Sequence, residues 1–289
     1  MLETFDSQNW HDPYHATDQS RAVAALEAGK VLFLPRLAFR PLNSETRFLS
    51  ADLAGGSRKN VSYDPVRGAL GGTKPGPDDA EISAMMQRFG RDARALVTGL
   101  APAYAPHLEQ ARTSFRPVPV QGRAQSVRHD DRLLHIDAFP SRPMRGRRIL
   151  RVFSNISPDG SAREWRVGGH FIDYATRFAP RVRPPLPGAA LALASLGLTK
   201  GRRSAYDSLM LGLHDAGKFD ANWQRDTSYE TVDFPPGSTW MCFTDIVLHA
   251  AMAGRCALEQ TFHIPVAAMA RPELSPLRML ENLTGKILA

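Results

Sequence analysis

From Ser114 to about residue 265, the sequence consists of short runs rich in β-branched and aromatic residues, punctuated by Pro and Gly. Such runs are typical of strands, and frequent turn residues indicate short connections between them. The 22 Pro residues in a chain of 289 also argue against a helix bundle. The predicted strands are 125–128, 133–139, 149–154, 164–167, 231–234, 239–243, 246–251 and 258–264.

The part of the chain before these runs has helical periodicity instead. A helix is predicted for 18–28, ended by Gly29, and a short strand for 30–34. The stretch 50–78 is rich in breakers and is predicted to be rich in loops. Apolar residues at three- and four-residue steps predict a second helix that Asp78 or Asp79 caps and that ends near Gly99. A third helix is predicted for 104–111.

Helices followed by many short strands predict an α+β protein built on a β-sandwich or barrel. We expect a single domain over residues 1–289, because folds of this kind often reach this length in one unit. Its predicted parts are a helix-rich N-terminal part (1–113), a β-sandwich core (114–265) with a helical insert at about 203–220, and a C-terminal tail (266–289).

The charge of the chain restricts its partners only loosely. Lys and Arg total 36 against 29 Asp and Glu, which gives a net charge of +7. This charge suits nucleic acid, an anionic membrane surface or an acidic small substrate equally well. The best apolar run, 188–198, has about half the length that a bilayer requires. No secretory signal is visible, and two isolated Cys residues form no disulfide framework, so we predict a cytoplasmic protein.

A candidate metal site centres on His135 and Asp137. In a strand these two residues point to one face while Leu134 and Ile136 point to the other, so two polar groups share an otherwise apolar strand. Burying them is costly unless they are paired or bind a metal. His249, on a second apolar strand, would complete a set of two histidines and one carboxylate, which leaves open positions on Fe(II).

Other interpretations of these residues stay open. His135 and Asp137 are alternatively an internal hydrogen-bonded pair, with His249 a core residue. A second His-x-Asp pattern, His129 and Asp131, lies in a charged stretch without apolar alternation, and we rank it lower. Further ligand candidates are Glu259, His263, His170 and Asp173. The Cys spacing does not favour a structural zinc site, and phosphate-loop, nucleophile-elbow and dinucleotide motifs are absent.

Several motifs, taken in order along the chain, resemble the Kdo hydroxylase family over roughly residues 20 to 265. They are KNVSY (59–63), HIDAFPS (135–141), GRRILRVFSN (146–155), WRV (165–167), LHD (213–215), FTD (243–245), VLH (247–249) and LEQTF (258–262).

The resemblance implies a double-stranded β-helix, or jelly-roll, fold and an Fe(II)- and 2-oxoglutarate-dependent dioxygenase. Such an enzyme hydroxylates carbon 3 of 3-deoxy-D-manno-oct-2-ulosonic acid (Kdo) in lipid A core lipopolysaccharide and releases succinate and CO₂. The implied iron ligands are His135, Asp137 and His249. The residues implied to line the pocket for 2-oxoglutarate and the sugar carboxylate are Arg116, Arg151, Arg163 and Trp165.

One position departs from the pattern of the wider superfamily. A cation that holds the distal carboxylate of 2-oxoglutarate often follows the distal His by about ten residues, where this chain has Glu259 and Gln260. Bidentate Arg suits this task best, so Arg151, Arg163 and Arg116 are the candidates. The sequence does not divide them between the two acids.

The predicted partner is Kdo-bearing lipid A or core lipopolysaccharide, with peripheral contact at the anionic inner face of the cytoplasmic membrane and no nucleic acid. Two alternatives remain. One is a 2-oxoglutarate oxygenase that acts on nucleic acid or an amino acid. The other is a non-enzymatic β-sandwich module whose arginines bind anions.

Overall fold

Two β-sheets enclose the core of the protein. The structure is a computed structural model that describes residues 1–55, 58–74, 76–122 and 125–289. The strands in this part of the chain are β1 (Leu2–Thr4), β2 (Val31–Leu34), β3 (Val61–Asp64), β4 (Ala69–Gly71), β5 (Glu109–Arg116), β6 (Arg148–Asn155), β7 (Arg163–Gly168), β8 (Tyr229–Phe234), β9 (Thr239–Phe243), β10 (His249–Ala251) and β11 (Ala257–Ile264).

The larger sheet has the order β1-β2-β9-β6-β11-β5-β3-β4, and the smaller has the order β10-β7-β8. All residues of β6, β9 and β11 are buried, because helices cover one face of the larger sheet and the smaller sheet packs on the other. Aromatic side chains fill the space between the sheets. Trp240 of β9 stacks on Phe234 of β8 at 4.1 Å between ring centroids, and Trp165 of β7 packs edge-on against both. The jelly-roll fold implied by the resemblance is confirmed.

The helices lie mainly before the core strands and between β7 and β8. The second helix carries the predicted apolar stripe, and Ile82, Phe89 and Leu96 are fully buried against the larger sheet. Asp78 occupies the N-cap position, but its side chain makes no capping hydrogen bond. The helices are α1 (Ala16–Glu27), α2 (Asp79–Leu100), α3 (Phe171–Phe178), α4 (Ala189–Ser195), α5 (Ala205–Phe219), α6 (Ala221–Asp226) and α7 (Pro276–Thr284).

The N-terminal part contains one hairpin that was not predicted, and one predicted helix is wrong. The described residues of the stretch 50–78 are mostly turns and loops, but β3 and β4 form a hairpin in it, and β3 extends the larger sheet through β5. The region 104–111 is not a helix. A 3₁₀ turn occupies Pro102–His107, and β5 then begins at Glu109. Pro106 lacks a backbone N–H, and the residues after it pair with β11 instead. Pairing with a distant strand overrides the local helical pattern.

Two of the predicted strands are also wrong, and a third is shorter than predicted. The region 125–128 contains the start of a 3₁₀ turn, Val127–His129. The region 133–139 is irregular, and its one strand-like pairing is a bridge between His135 and His249. The region 246–251 begins with a turn in which the amide of Val247 donates to the carbonyl of Phe243, so β10 starts only at His249. The other five predicted core strands are present.

The predicted insert at about 203–220 contains α5, and α3, α4 and α6 lie beside it in the chain. The division into parts at residues 113 and 265 stays a prediction. In the described part of the chain, no helix combines the length and the apolar character needed to cross a bilayer.

Candidate active site

A cavity of about 130 Å³ lies between the two sheets. The structure brings to it every residue that the resemblance implied for the site, although these residues come from separate strands and from the irregular segment after β5. The proposed residues that line the cavity are Arg116, His135, Asp137, Arg151, Arg163, Trp165 and His249.

His135, Asp137 and His249 form the centre of this cavity. One potential ligand atom of each residue lies within 4.8 Å of those of the other two. Two backbone hydrogen bonds hold the histidines side by side, from the amide of His135 to the carbonyl of His249 at 3.1 Å and back at 2.9 Å. The amide of Asp137 donates to the carbonyl of Thr244 at 2.8 Å. The irregular segment is therefore fixed on β10 and on the turn before it.

Both histidine rings are oriented by their own backbone. His135 Nδ1 lies 2.7 Å from the carbonyl oxygen of Leu133, and His249 Nδ1 lies 2.8 Å from that of Val247. A ring that donates from Nδ1 to a carbonyl keeps Nε2 as a lone-pair donor, which is the usual arrangement of a metal-binding histidine. Burial, together with the other cations around the site, lowers the pKa of both rings, so at neutral pH they are uncharged and able to coordinate a metal.

Asp137 supplies a charged oxygen beside these two rings. Burial opposes its ionisation, but the Arg151 guanidinium holds the pKa of the carboxyl below its ordinary value. Its Oδ2 lies 3.2 Å from Arg151 Nη1, yet this buried oxygen makes no hydrogen bond within the described residues. A buried carboxylate oxygen without a hydrogen bond, next to two imidazole lone pairs, fits a divalent metal ion.

Glu259 bridges two of the cavity arginines. Its Oε2 accepts from Arg116 Nε and Nη2 at 3.0 and 2.9 Å, and its Oε1 lies 3.1 Å from Arg151 Nη1. Burial raises the pKa of Glu259, but Arg151 and Arg116 outweigh this effect and lower it overall. Glu259 stands near the position where the superfamily often has a cation. Here it is not a metal ligand but the counter-charge of two arginines that reach the site from β5 and β6.

Arg163 and Trp165 form another wall of the cavity from one face of β7. Arg163 Nη1 donates to the carbonyl of Gly254 at 3.1 Å. Gly254 has a φ of +93°, and a Cβ there would lie 2.5 Å from the carbonyl oxygen of Ala162. Glycine is therefore required at position 254, where the chain passes close to the backbone at the start of β7. Trp165 stacks on the His249 ring at 5.1 Å and 24°, and this stacking restrains the ring from one side.

Sequence reasoning missed the role of Asp131 and Lys59. Asp131 Oδ2 lies 2.7 Å from Lys59 Nζ and 3.4 Å from Arg116 Nη1, and Asp131 lines the cavity. The pairing explains one residue of the KNVSY motif. The only signal in the sequence was the motif itself, because nothing local connects residues 59 and 131.

The remaining ligand candidates do not join the centre. His129 is exposed and contacts Ser126, and His170 is exposed at the start of α3. His263 is buried in a neighbouring cavity, where its nearest carboxylate is Glu109 at 3.8 Å. Asp173 lies in the first turn of α3 with His170. Among the described residues, one group has the geometry of a metal site, and it is His135, Asp137 and His249.

Comparison with known proteins places the whole chain in one family. The family model described as 3-deoxy-D-manno-oct-2-ulosonic acid (Kdo) hydroxylase matches residues 9–287. No curated protein sequence matches the chain.

Solved structures agree with this assignment. The chain is 45% identical to the Kdo hydroxylase KdoO, a non-haem Fe(II) α-ketoglutarate-dependent dioxygenase crystallised with α-ketoglutarate and Fe(III), with a TM-score of 0.96 over 100% of this chain and 97% of that one. The structure of KdoO with succinate and Fe(III) gives 44% identity and a TM-score of 0.95 over 99% and 97% of the two chains. The predicted enzyme class and cofactors are confirmed. The chain belongs to the Kdo hydroxylase family.

Proposed function

We propose that this protein hydroxylates carbon 3 of Kdo in Kdo-bearing lipid A or inner-core lipopolysaccharide, using Fe(II), O₂ and 2-oxoglutarate and releasing succinate and CO₂. The observation that carries the proposal is the buried group of two neutral histidines and one ionised carboxylate in a cavity that three arginines line. The family to which the chain belongs supports Kdo as the sugar.

His135, Asp137 and His249 would hold the iron through His135 Nε2, His249 Nε2 and an oxygen of Asp137. The bound iron and 2-oxoglutarate together supply the oxidising power that activates O₂ and replaces a C–H bond by C–OH. The backbone carbonyls of Leu133 and Val247 keep each ring in the tautomer that presents Nε2. These residues would supply three donor atoms to the ion, and its remaining positions would be available to 2-oxoglutarate and O₂.

Arg116, Arg151, Arg163 and Trp165 would bind the carboxylates of 2-oxoglutarate and of the sugar. Guanidinium groups suit this task because each can bind a carboxylate through two parallel N–H bonds. Glu259 keeps Arg116 and Arg151 at fixed positions, since it holds both at hydrogen-bond or ion-pair distance. Arginines oriented before the acids arrive lose little entropy on binding.

The apolar part of the cavity would limit the access of water to the reacting carbon. Phe153, Trp165, Ala251 and Ala257 line it alongside the charged groups, and all four are buried. A dry site favours attack on the substrate over loss of the oxidant to side reactions.

The lipid-linked form of the substrate would bring the protein to the inner face of the cytoplasmic membrane as a peripheral protein. The net charge of +7 supports attraction to anionic lipids.

Mass spectrometry of Kdo-bearing lipid A tests the proposal. The protein is loaded with iron without oxygen and then incubated with 2-oxoglutarate and O₂. We expect one added oxygen on Kdo, absent without 2-oxoglutarate and absent in His135→Ala. Succinate release without oxygen on the sugar would reject Kdo as the substrate. If folded, iron-loaded protein gives neither signal, the enzymatic proposal is wrong.

Separate substitutions divide the arginines between the two acids. In Arg151→Lys and Arg163→Lys the charge stays but the bidentate geometry is lost. We expect the KM for 2-oxoglutarate to rise in the variant that contacts this acid and the KM for the sugar to rise in the other. Unchanged KM values for both acids in both variants would exclude these two residues from carboxylate binding.

A further inference from the structure

Five large apolar side chains are exposed in two segments close to the helical insert. Leu186 is 80% exposed, Leu196 is 73% exposed and Ile287 is 88% exposed, and Leu191 and Leu198 are each 60% exposed. We name these five residues the leucine-rich surface. Exposed apolar residues are normal when they are scattered, but a cluster of this kind indicates contact with a partner.

The helix within this surface is not explained by core packing. None of the residues of α4 is buried, although its sequence, AALALAS, consists of Ala and Leu with one terminal Ser. The neighbouring α3 and α5 contrast with it, since each buries one face, including Phe178 and Leu213. Leu191, Ala192 and Ser195 of α4 are exposed and its other residues are only half-buried, so core packing does not account for this apolar helix.

A cleft of about 490 Å³ joins the two segments and carries positive charge. Its lining includes Leu186 and Leu191 from the first segment and Lys286 and Leu288 from the second, and it includes no Asp or Glu. Its cations are Arg183, Arg202, Arg203 and Lys286. Of these, the exposed Arg183, Arg202 and Lys286 form no ion pair with a carboxylate of the described residues. Apolar side chains beside uncompensated cations complement a lipid bilayer with anionic headgroups.

This surface is connected to the active site through the segment that follows Asp137. The amide of Lys200 donates to the carbonyl of Ser141 at 2.9 Å, and Arg203 donates to the carbonyl of Pro140. Pro140 and Ser141 line a second cavity, of about 210 Å³, whose wall includes Arg151 and Glu259. These two residues also line the active-site cavity. The second cavity therefore lies next to the active-site cavity, and its wall contacts the segment that follows the leucine-rich surface.

We propose that the leucine-rich surface inserts into the interfacial region of an anionic membrane, with Arg183, Arg202 and Lys286 on the lipid phosphates. The surface holds the protein so that a sugar on a membrane-embedded lipid reaches the cavity. The identity of that sugar rests on the proposed function, whereas binding to the membrane does not.

Vesicle sedimentation tests the surface without any catalytic step. The probe is vesicles of phosphatidylcholine and phosphatidylglycerol in equal amounts. We expect the wild type to bind and the triple variant Leu186→Asp, Leu196→Asp and Leu198→Asp to bind at least about tenfold more weakly. Leu42→Asp is the matched control, because Leu42 is 57% exposed but lies outside this surface, and it should bind like the wild type. A triple variant that sediments like the wild type overturns the proposal.

The basic residues have a separate test. The double variant Arg183→Gln and Lys286→Gln should lose about fivefold in affinity for each charge removed on the anionic vesicles. On vesicles of phosphatidylcholine alone it should bind like the wild type. An equal loss on both kinds of vesicle would contradict the proposed contact with lipid phosphates.

Activity separates this proposal from the proposed function. The triple variant should hydroxylate a lipid-free Kdo oligosaccharide at the wild-type rate and a vesicle-embedded Kdo lipid more slowly. If vesicle binding is lost in the variant but neither protein hydroxylates Kdo, the surface is supported and the function is wrong. If sedimentation velocity instead shows a dimer that the triple variant dissociates, a second copy covers the surface and the membrane proposal is wrong.

Discussion

The active-site cavity and the leucine-rich surface both place arginines beside apolar side chains, but they treat the positive charge in opposite ways. In the cavity, Glu259 lies between Arg116 and Arg151, and Asp131 adds a second counter-charge to Arg116. At the surface, Arg183 and Arg202 have no such partner among the described residues.

The difference follows from burial and suggests two functions for one residue type. A buried cation without a counter-charge loses its hydration and gains nothing in return, so the cavity arginines need fixed carboxylates, which also hold them in place. An exposed cation stays hydrated without a partner and remains available for a mobile anionic one. The cavity arginines are thus held in fixed positions for their ligands, whereas the surface cations can bind anionic lipids reversibly. The predictions below test this contrast, starting with the largest expected effect.

Removing a member of the metal centre should have the largest effect. We expect His135→Ala and Asp137→Ala each to lower succinate release at least about a hundredfold. Loss of a metal ligand should cost more activity than loss of a residue that only hydrogen-bonds to a ligand. Bound iron should fall in parallel. His129→Ala is the control, since it removes the histidine of the second His-x-Asp pattern from an exposed position. Full activity in either of the first two variants would refute the assigned ligands.

Removing the counter-charge in the cavity should have the next largest effect. Glu259→Gln leaves two buried guanidinium groups facing a neutral side chain, and we expect the free energy of unfolding to fall by about 3 kcal/mol. Urea denaturation measures the change. A double-mutant cycle with Arg116→Met should recover part of the loss, and a strictly additive cycle would show that the two residues are not coupled.

The buried His263 should make stability depend on pH. Burial lowers its pKa to about 4, and neither ring nitrogen makes a hydrogen bond within the described residues. The unfolded chain therefore takes up this proton near pH 6.5, while the folded protein resists it down to about pH 4. Protonation of His263 in the unfolded chain therefore does not reduce the free energy of unfolding above pH 6.5. As the pH falls from 6.5 to about 4, it reduces the free energy of unfolding by at most about 1.4 kcal/mol per pH unit.

Comparison of two variants checks this prediction. His263→Phe should flatten the dependence of the unfolding free energy on pH over this window, since it removes the titrating group. His170→Phe makes the same substitution at an exposed histidine and serves as the control. The same slope in wild type and His263→Phe would mean that another group titrates.

The smallest effect is expected at the leucine-rich surface. Arg183→Gln and Lys286→Gln should each change the free energy of unfolding by less than about 0.5 kcal/mol, because no counter-charge is lost. Thermal unfolding at low and high salt measures this. A loss comparable with that in Glu259→Gln would show that the surface cations stabilise the fold, and the contrast between the two regions would disappear.

Much of the core could be predicted from the sequence, because short-range patterns encode it. Runs of β-branched and aromatic residues between turn residues predicted β6, β7, β8, β9 and β11 within a few residues, and helical periodicity predicted the buried face of α2. The alternation around His135 predicted which side chains face the cavity, although the regular strand predicted for 133–139 is absent. Leu134 and Ile136 are buried while His135 and Asp137 line the cavity, although 133–139 pairs through a single bridge.

The hairpin of β3 and β4 and the start of β5 at Glu109 could not be predicted in this way. These segments become strands because β11 and its neighbours offer hydrogen-bond partners, and such partners lie far away in the sequence. Local preference for loop or helix is too weak to resist a complete ladder of backbone hydrogen bonds.

The sequence by itself determined the family and the residue types of the metal centre, since these depend on ordered motifs and on which side chains share a face. The tertiary structure alone decided which charged groups pair with each other and which apolar side chains are exposed. It showed that Glu259 neutralises Arg116 from 143 positions away. It also showed that the most apolar run of the chain, around α4, lies at the surface. Burial is a property of the packed molecule, because the same leucines enter a core or meet a membrane according to what packs against them.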